Sequence, residues 1–336
     1  MINLRTNIDI PESSYGLTYK KKSMLVGSCF TGNIGGTLRY YKFPVMINPF
    51  GVMYNPVSVK KVLDILMREA YFEEKDLNYY NNLWLSFYHD TSFSGDDQKN
   101  VLKTINRQIH EGAQWLSDIN LLIITFGTAR VYRHKNDHSI VSNCHKLPAE
   151  EFSRELLDVG TIVDEYKSLI AQLRDFNPHM HMVFTISPVR HWKDGAVGNQ
   201  QSKATLILAL QKLLEEHPEI EYFPAYEIMM DELRDYRFYG DDMLHPGNTG
   251  IQYIWERFSQ TYIKKSTFKL MDQVEEIVKA RNHKPFRPKS LEYQKFLKKQ
   301  IEKTEQLIDK HPHINLRPEL DYFIAQLEGT ANSGYV

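Results

Sequence analysis

Five short apolar runs that do not alternate with polar residues limit what this chain can fold into: residues 24–26, 45–47, 121–126, 182–186 and 222–223. A strand with one wet face alternates in polarity, so unbroken runs predict strands covered on both faces, as in a parallel sheet. Leu121-Leu122-Ile123-Ile124 is the strongest of them. Segments with helical spacing lie between the runs. Residues 57–70 place Val59, Val62, Leu63, Leu66 and Met67 on one face, with Asn55 as candidate N-cap and Pro56 at the first helical position. Residues 101–116, 202–216 and 248–262 read as helices, and 152–176 as a long helical region open to a break at Gly160. Strands alternating with helices predict an α/β domain of three layers over residues 1–263.

Two insertions interrupt this alternation. Residues 72–97 carry Trp84, Phe87, Tyr88, His89 and Phe93, and residues 127–148 carry Arg130, Arg133, His134, His138, Asn143, Cys144 and His145. Insertions after strand ends in open α/β sheets form binding rims. Trp84, Phe87 and His89 fit either a sugar-stacking wall or packing under a loop, the second being the commoner use. Residues 264–336 form a helical C-terminal extension punctuated by Pro285, Pro288, Pro312 and Pro318. Residues 291–308 present a narrow stripe of Leu297, Ile301 and Ile308. Such helices dock on the main domain, join two copies as a homo-oligomer, or stay solvated. The last few residues read as disordered.

The charge balance excludes some partners. With 41 basic and 42 acidic residues the net charge is −1, which gives no field for a nucleic acid or an anionic membrane. The two cysteines, Cys29 and Cys144, make neither a disulfide framework nor a zinc spacing, though a single bridge between them stays open. His179 and His181 flank Met180 without an apparent third ligand, so no metal site is expected. No signal peptide and no run of transmembrane length is seen, which makes the cytoplasm the expected location.

Chemistry enters at residues 23–30, Ser-Met-Leu-Val-Gly-Ser-Cys-Phe. An apolar strand ends at Gly27, and residues 31–41 read as a short helix with Ile34, Leu38 and Tyr41 on one face. A nucleophile at such a bend projects from a strand's carboxyl end, beside the free N–H groups of the next helix. Ser28 is the candidate. Cys29 is the alternative, because a thiol at a helix N-terminus can lose its proton more readily. A second signal is Asp242-Met-Leu-His245, just before the last core helix. Three-residue spacing sets both side chains on one side, where a carboxylate can hold one ring nitrogen and leave the other to take a proton from serine.

These two signals at opposite ends of one α/β domain resemble the SGNH (GDSL-like) hydrolase superfamily. The chain is more closely similar to its GSCFA branch through Gly27-Ser-Cys-Phe30, Asn48-Pro-Phe-Gly-Val-Met-Tyr-Asn-Pro56, Thr125-Phe-Gly-Thr128, Asn143-Cys-His-Lys-Leu-Pro148, Ser187-Pro-Val-Arg-His191 and Asp242-Met-Leu-His-Pro246. The signature's final Ala is Thr31 here. The resemblance implies a flavodoxin-like α/β/α sandwich, with Ser28 as nucleophile, His245 as general base and then acid, and Asp242 as its orienter. It implies an oxyanion hole from the Ser28 N–H, a second-block glycine that maps to Gly51, and a third-block asparagine. The third block reads Gly127-Thr128-Ala129 instead of Gly-x-Asn, so Thr128 or Asn143 is left to replace that donor. Arg190 and His191 follow the fourth strand, where they either bind a polar substrate or, for the arginine, pair with a carboxylate. His145 either contacts substrate or braces its loop. The expected activity is hydrolysis of an acyl ester, on superfamily grounds an O-acetylated carbohydrate, with no cofactor. Acyl transfer to a sugar hydroxyl, or carbohydrate binding without catalysis, is the alternative.

Overall fold

The computed structural model describes residues 6–331. The five apolar runs become β1 (Ser23–Gly27), β2 (Val45–Ile47), β3 (Leu121–Phe126), β4 (His181–Ile186) and β5 (Glu221–Phe223). They form one sheet in the order β2-β1-β3-β4-β5, with every neighbouring pair parallel. Ser23 stands opposite both Val45 and Leu121, and Leu121 opposite His181. This 2-1-3-4-5 order is flavodoxin-like, and it reverses direction between β1 and β3.

Both faces of the sheet are covered, and the two-residue period of the strands sorts the core in two. Met24, Val26, Leu122, Ile124 and Phe184 pack with helices α2 (Pro56–Arg68), α3 (Gln98–Ser117), α4 (Val159–Phe176) and α5 (Gly195–Glu216). Leu25, Ile123, Val183 and Phe223 face the other way, against α1 (Cys29–Tyr40) and α6 (Asn248–Tyr262). Local signals set the helix starts: Asn55 accepts from Ser58 N–H at 2.9 Å, with Pro56 opening α2.

Three helices complete the second face: α7 (Phe268–Asn282), α8 (Leu291–Lys310) and α9 (Arg317–Ala331). Leu297, Leu316 and Phe323 are fully buried in the same cluster as Leu38, Phe43 and Trp255. Burying each such side chain contributes about 1.5–3 kcal/mol. Glu319 is also fully buried, 2.5 Å from Lys42 and 2.9 Å from Arg281. The narrow stripe of α8 therefore belongs to the same apolar cluster that covers this face of the α/β domain. The disorder expected of the last residues falls on 332–336, outside the described residues.

The insertions carry their own β-structure. Strands Asn78–Tyr80 and Leu83–Leu85 pair as a hairpin. Strand Arg130–His134 lies between Ile140–Val141 and Phe152–Leu156 in a small antiparallel sheet. This corrects the helical reading of 152–176. Residues 152–156 are drawn into pairing by 130–134, with Arg133 and Glu155 3.0 Å apart across the ladder. The helix starts only at Val159, capped by Asp158, which accepts from Thr161 N–H at 2.9 Å. Among the described residues no helix is long and apolar enough to cross a membrane.

Candidate active site

Ser28 leaves β1 beside the point where strand order reverses, which is where open parallel sheets form their binding crevice. Gly27 has φ +143°, and a Cβ there would lie 2.1 Å from the Thr125 carbonyl oxygen, so only glycine fits. Its N–H donates to Asn48 Oδ1 at 2.9 Å and its carbonyl accepts from Met53 N–H at 2.9 Å, fixing the 48–53 loop against β1. Ser28 itself is fully buried, and its Oγ has no hydrogen-bond partner.

Gly127, at the end of β3, packs directly on Ser28. A Cβ on Gly127 would lie 3.2 Å from Ser28 Cβ, 3.1 Å from His191 Nε2 and 3.0 Å from the Tyr54 carbonyl oxygen. The missing side chain lets both Ser28 and the His191 ring border the Gly127 backbone. Burial, aided by the charges of Lys203, Arg154 and His245, pushes the His191 pKa down to about 4, so its ring is neutral at physiological pH. Its backbone N–H donates to Asn199 Oδ1 at 2.9 Å. The turn that carries it is anchored by the nearly buried Asp194, held by Arg130 at 3.3 Å and by Arg154.

Asp242 and His245 sit on a turn closed by the Gly240 N–H donating to the His245 carbonyl at 2.8 Å. Asp242 Oδ1 accepts from the N–H groups of Leu244 and His245, both at 2.9 Å, and Oδ2 lies 2.5 Å from His245 Nδ1. The two backbone N–H groups, His245's first, and then the imidazole lower the carboxyl pKa to about 2. Nδ1 is thereby fixed and Nε2 is left open. Asp242 and His245 are 48% and 54% exposed, and no hydrogen bond joins His245 to Ser28.

Two of the expected oxyanion donors, the N–H groups of Ser28 and Gly51, are already engaged. The Ser28 N–H donates to the Thr125 carbonyl at 3.2 Å and the Gly51 N–H to the Asn48 carbonyl at 2.8 Å. The Thr128 hydroxyl pairs with Ser202 at 2.9 Å and accepts from Arg130 N–H at 3.1 Å. Asn143 Oδ1 accepts from the His145 N–H at 2.8 Å, a bond that does not occupy its Nδ2 donor. His145 is buried, with Nε2 2.8 Å from the Ser86 carbonyl and Nδ1 3.4 Å from Ser94, so it braces the insertion instead of facing a ligand. Phe87 and His89 are buried too, His89 stacked on Phe50, which removes them from any sugar-binding wall. His181 pairs with Glu221 at 3.1 Å. Both cysteines are free, and burial pushes the Cys29 thiol pKa up, which keeps it protonated and argues against it as nucleophile.

Sequence reasoning missed Lys203. It is fully buried, and its Nζ donates to the carbonyls of Gly127 at 2.8 Å and Ser187 at 2.6 Å, joining the ends of β3 and β4. Burial pushes its pKa down to about 7. The signal was its position three residues before Leu206 and seven before Leu210, on the apolar stripe of α5.

A cleft of about 480 Å³ runs along this edge, lined by Arg190, Trp192, Tyr236, Tyr239, Asp242 and Met243 among others. Ser28 does not line it. Arg190 forms no ion pair among the described residues, so the structural alternative for this arginine does not hold.

No curated protein matches the chain. Among solved structures, an active-site mutant of a family two carbohydrate esterase from Clostridium thermocellum is similar with a TM-score of 0.36 at 15% identity, covering 71% of this chain and 62% of that one. The acetyl xylan esterase Est2A from Butyrivibrio proteoclasticus gives 0.35 at 11%, covering 75% and 64%. A carbohydrate esterase family 3 protein from Talaromyces cellulolyticus gives 0.34 at 10%, covering 76% and 99%. The chain spans under two thirds of the length of the first two. The GSCFA family profile matches residues 22–258, and that of the GSCFA C-terminal domain matches residues 274–329. With well over half of its length matched, from the bend at Ser28 to the helix after His245, the chain belongs to the GSCFA family.

Proposed function

We propose that this chain hydrolyses an acyl ester by an SGNH-type serine mechanism, with Ser28 as nucleophile, His245 as base and Asp242 as orienter. The observation that carries the proposal is the Asp242–His245 pair, with Nδ1 held at 2.5 Å and Nε2 open, on the loop before α6. Ser28 Oγ attacks the ester carbonyl while its proton passes to His245 Nε2. The alcohol departs with that proton and leaves an acyl-Ser28. Water, deprotonated by His245, then attacks and releases the acid. Ser28 Oγ and His245 Nε2 must meet for the first step, so the 239–247 turn closes on the bound substrate; catalytic hydrogen bonds often tighten only in the complex. The neutral His191 ring, which borders Gly127 as Ser28 does, is the group we assign to the oxyanion, in place of the engaged Ser28 and Gly51 N–H groups. Exposed Trp192 and Tyr236 on the cleft favour a carbohydrate as the alcohol part.

Ser28→Ala is expected to abolish turnover of p-nitrophenyl acetate with the fold intact; undiminished turnover rejects the assignment. The burial of Ser28 and its committed N–H favour a second reading, carbohydrate binding without catalysis, while acyl transfer to a sugar hydroxyl would share the acyl-Ser28 and differ only in what attacks it. Labelling by a fluorophosphonate separates the binding reading from both catalytic ones, and product analysis with sugar acceptors separates transfer from hydrolysis.

A further inference from the structure

We infer that the ester taken by this site carries a carboxylate, in sugar terms an acylated uronic acid, and that Arg190 binds it. The inference rests on the hydrolase reading and adds the charge of the substrate.

The charged groups lining the cleft are satisfied with one exception. Arg234 pairs with Asp231 at 2.9 Å, Asp235 with Arg237 at 2.7 Å, and Asp242 with His245. Arg190 alone among them has no carboxylate, and its Nε is buried without a hydrogen-bond partner. It stands at the carboxyl end of β4, near enough to Lys203 and Tyr239 for its charge to act on both. A guanidinium partly withdrawn from water and paired with no carboxylate of the described residues is unfavourable unless a ligand completes it. Its planar fork matches a carboxylate with two parallel hydrogen bonds. A single arginine suits one such monoanion better than a phosphate dianion, which draws several donors. Trp192 and Tyr236, 51% and 73% exposed, add ring faces for a pyranose on the same cleft.

The test compares an O-acetylated galacturonate trisaccharide with its counterpart whose carboxyl groups are primary amides. The wild-type chain is expected to favour the acid in kcat/KM by about tenfold or more, with an advantage that shrinks as salt is added. In Arg190→Gln the acid-to-amide ratio falls to about one, and Arg190→Lys keeps part of it. No preference in the wild type overturns the inference whatever the variants do. Calorimetry with the unacetylated trisaccharide and its amide reads the same site without turnover. Equal binding of the two by a chain that hydrolyses p-nitrophenyl acetate overturns the carboxylate site alone. Preferred binding of the acid by a chain that hydrolyses no ester supports the site and rejects the hydrolase reading.

Discussion

The two halves of the candidate site are held by different kinds of structure. Ser28 is fixed by distant parts of the chain: Asn48 and Met53 bond Gly27, Thr125 accepts from Ser28, and Gly127 packs on it. Asp242 and His245 are fixed within one turn, by bonds that scarcely leave residues 238–247. The first half is buried at the carboxyl end of an interior strand and the second is about half exposed. Changes near Ser28 should therefore act through folding, and changes in the turn through chemistry.

Gly27→Ala is the hardest challenge to that contrast. Its Cβ would meet the Thr125 carbonyl at 2.1 Å, and a loss of about 4 kcal/mol or more is expected, read by denaturant unfolding. A variant as stable as the wild type would mean that the sheet does not fix the nucleophile. Asp242→Asn should do the reverse, lowering kcat by about a hundredfold or more while the melting temperature stays put. His191→Ala is placed between these: a fall in kcat on the order of tenfold to a hundredfold is expected if it serves the oxyanion, with KM little moved. Lys203→Met sharpens the contrast most finely. The folded chain holds Lys203 at about 7, below its ordinary 10.5, so between these pH values the unfolded chain binds the extra proton. Stability accordingly rises with pH across that window, and the variant should flatten the rise in unfolding free energy measured from pH 7 to 10.

The sheet and most of its helices were legible because their signals are local: unbroken apolar runs, the Asn55-Pro56 start and the stripe of α2. The strand at 152–156 was not, because what makes it a strand is the ladder with 130–134, a partner set by the fold of the insertion. The site divides along the same line. Ser28, Asp242 and His245 can be named from their motifs. Whether the Ser28 N–H is free depends on which carbonyl lies opposite, and that is decided by Thr125, far along the chain. Lys203 was hidden for a related reason: a charged residue on an apolar stripe reads as noise until two carbonyls are seen to receive it.

The docking of α7 to α9 has a practical side for anyone dissecting this chain. Leu38, Phe43 and Trp255 share one apolar cluster with Leu297, Leu316 and Phe323, so a cut after residue 263 follows a boundary in sequence and opens a hydrophobic seam. A fragment ending there would carry the whole candidate site and still be expected to clump on expression, whereas co-expressing residues 264–336 as a separate piece should rescue it.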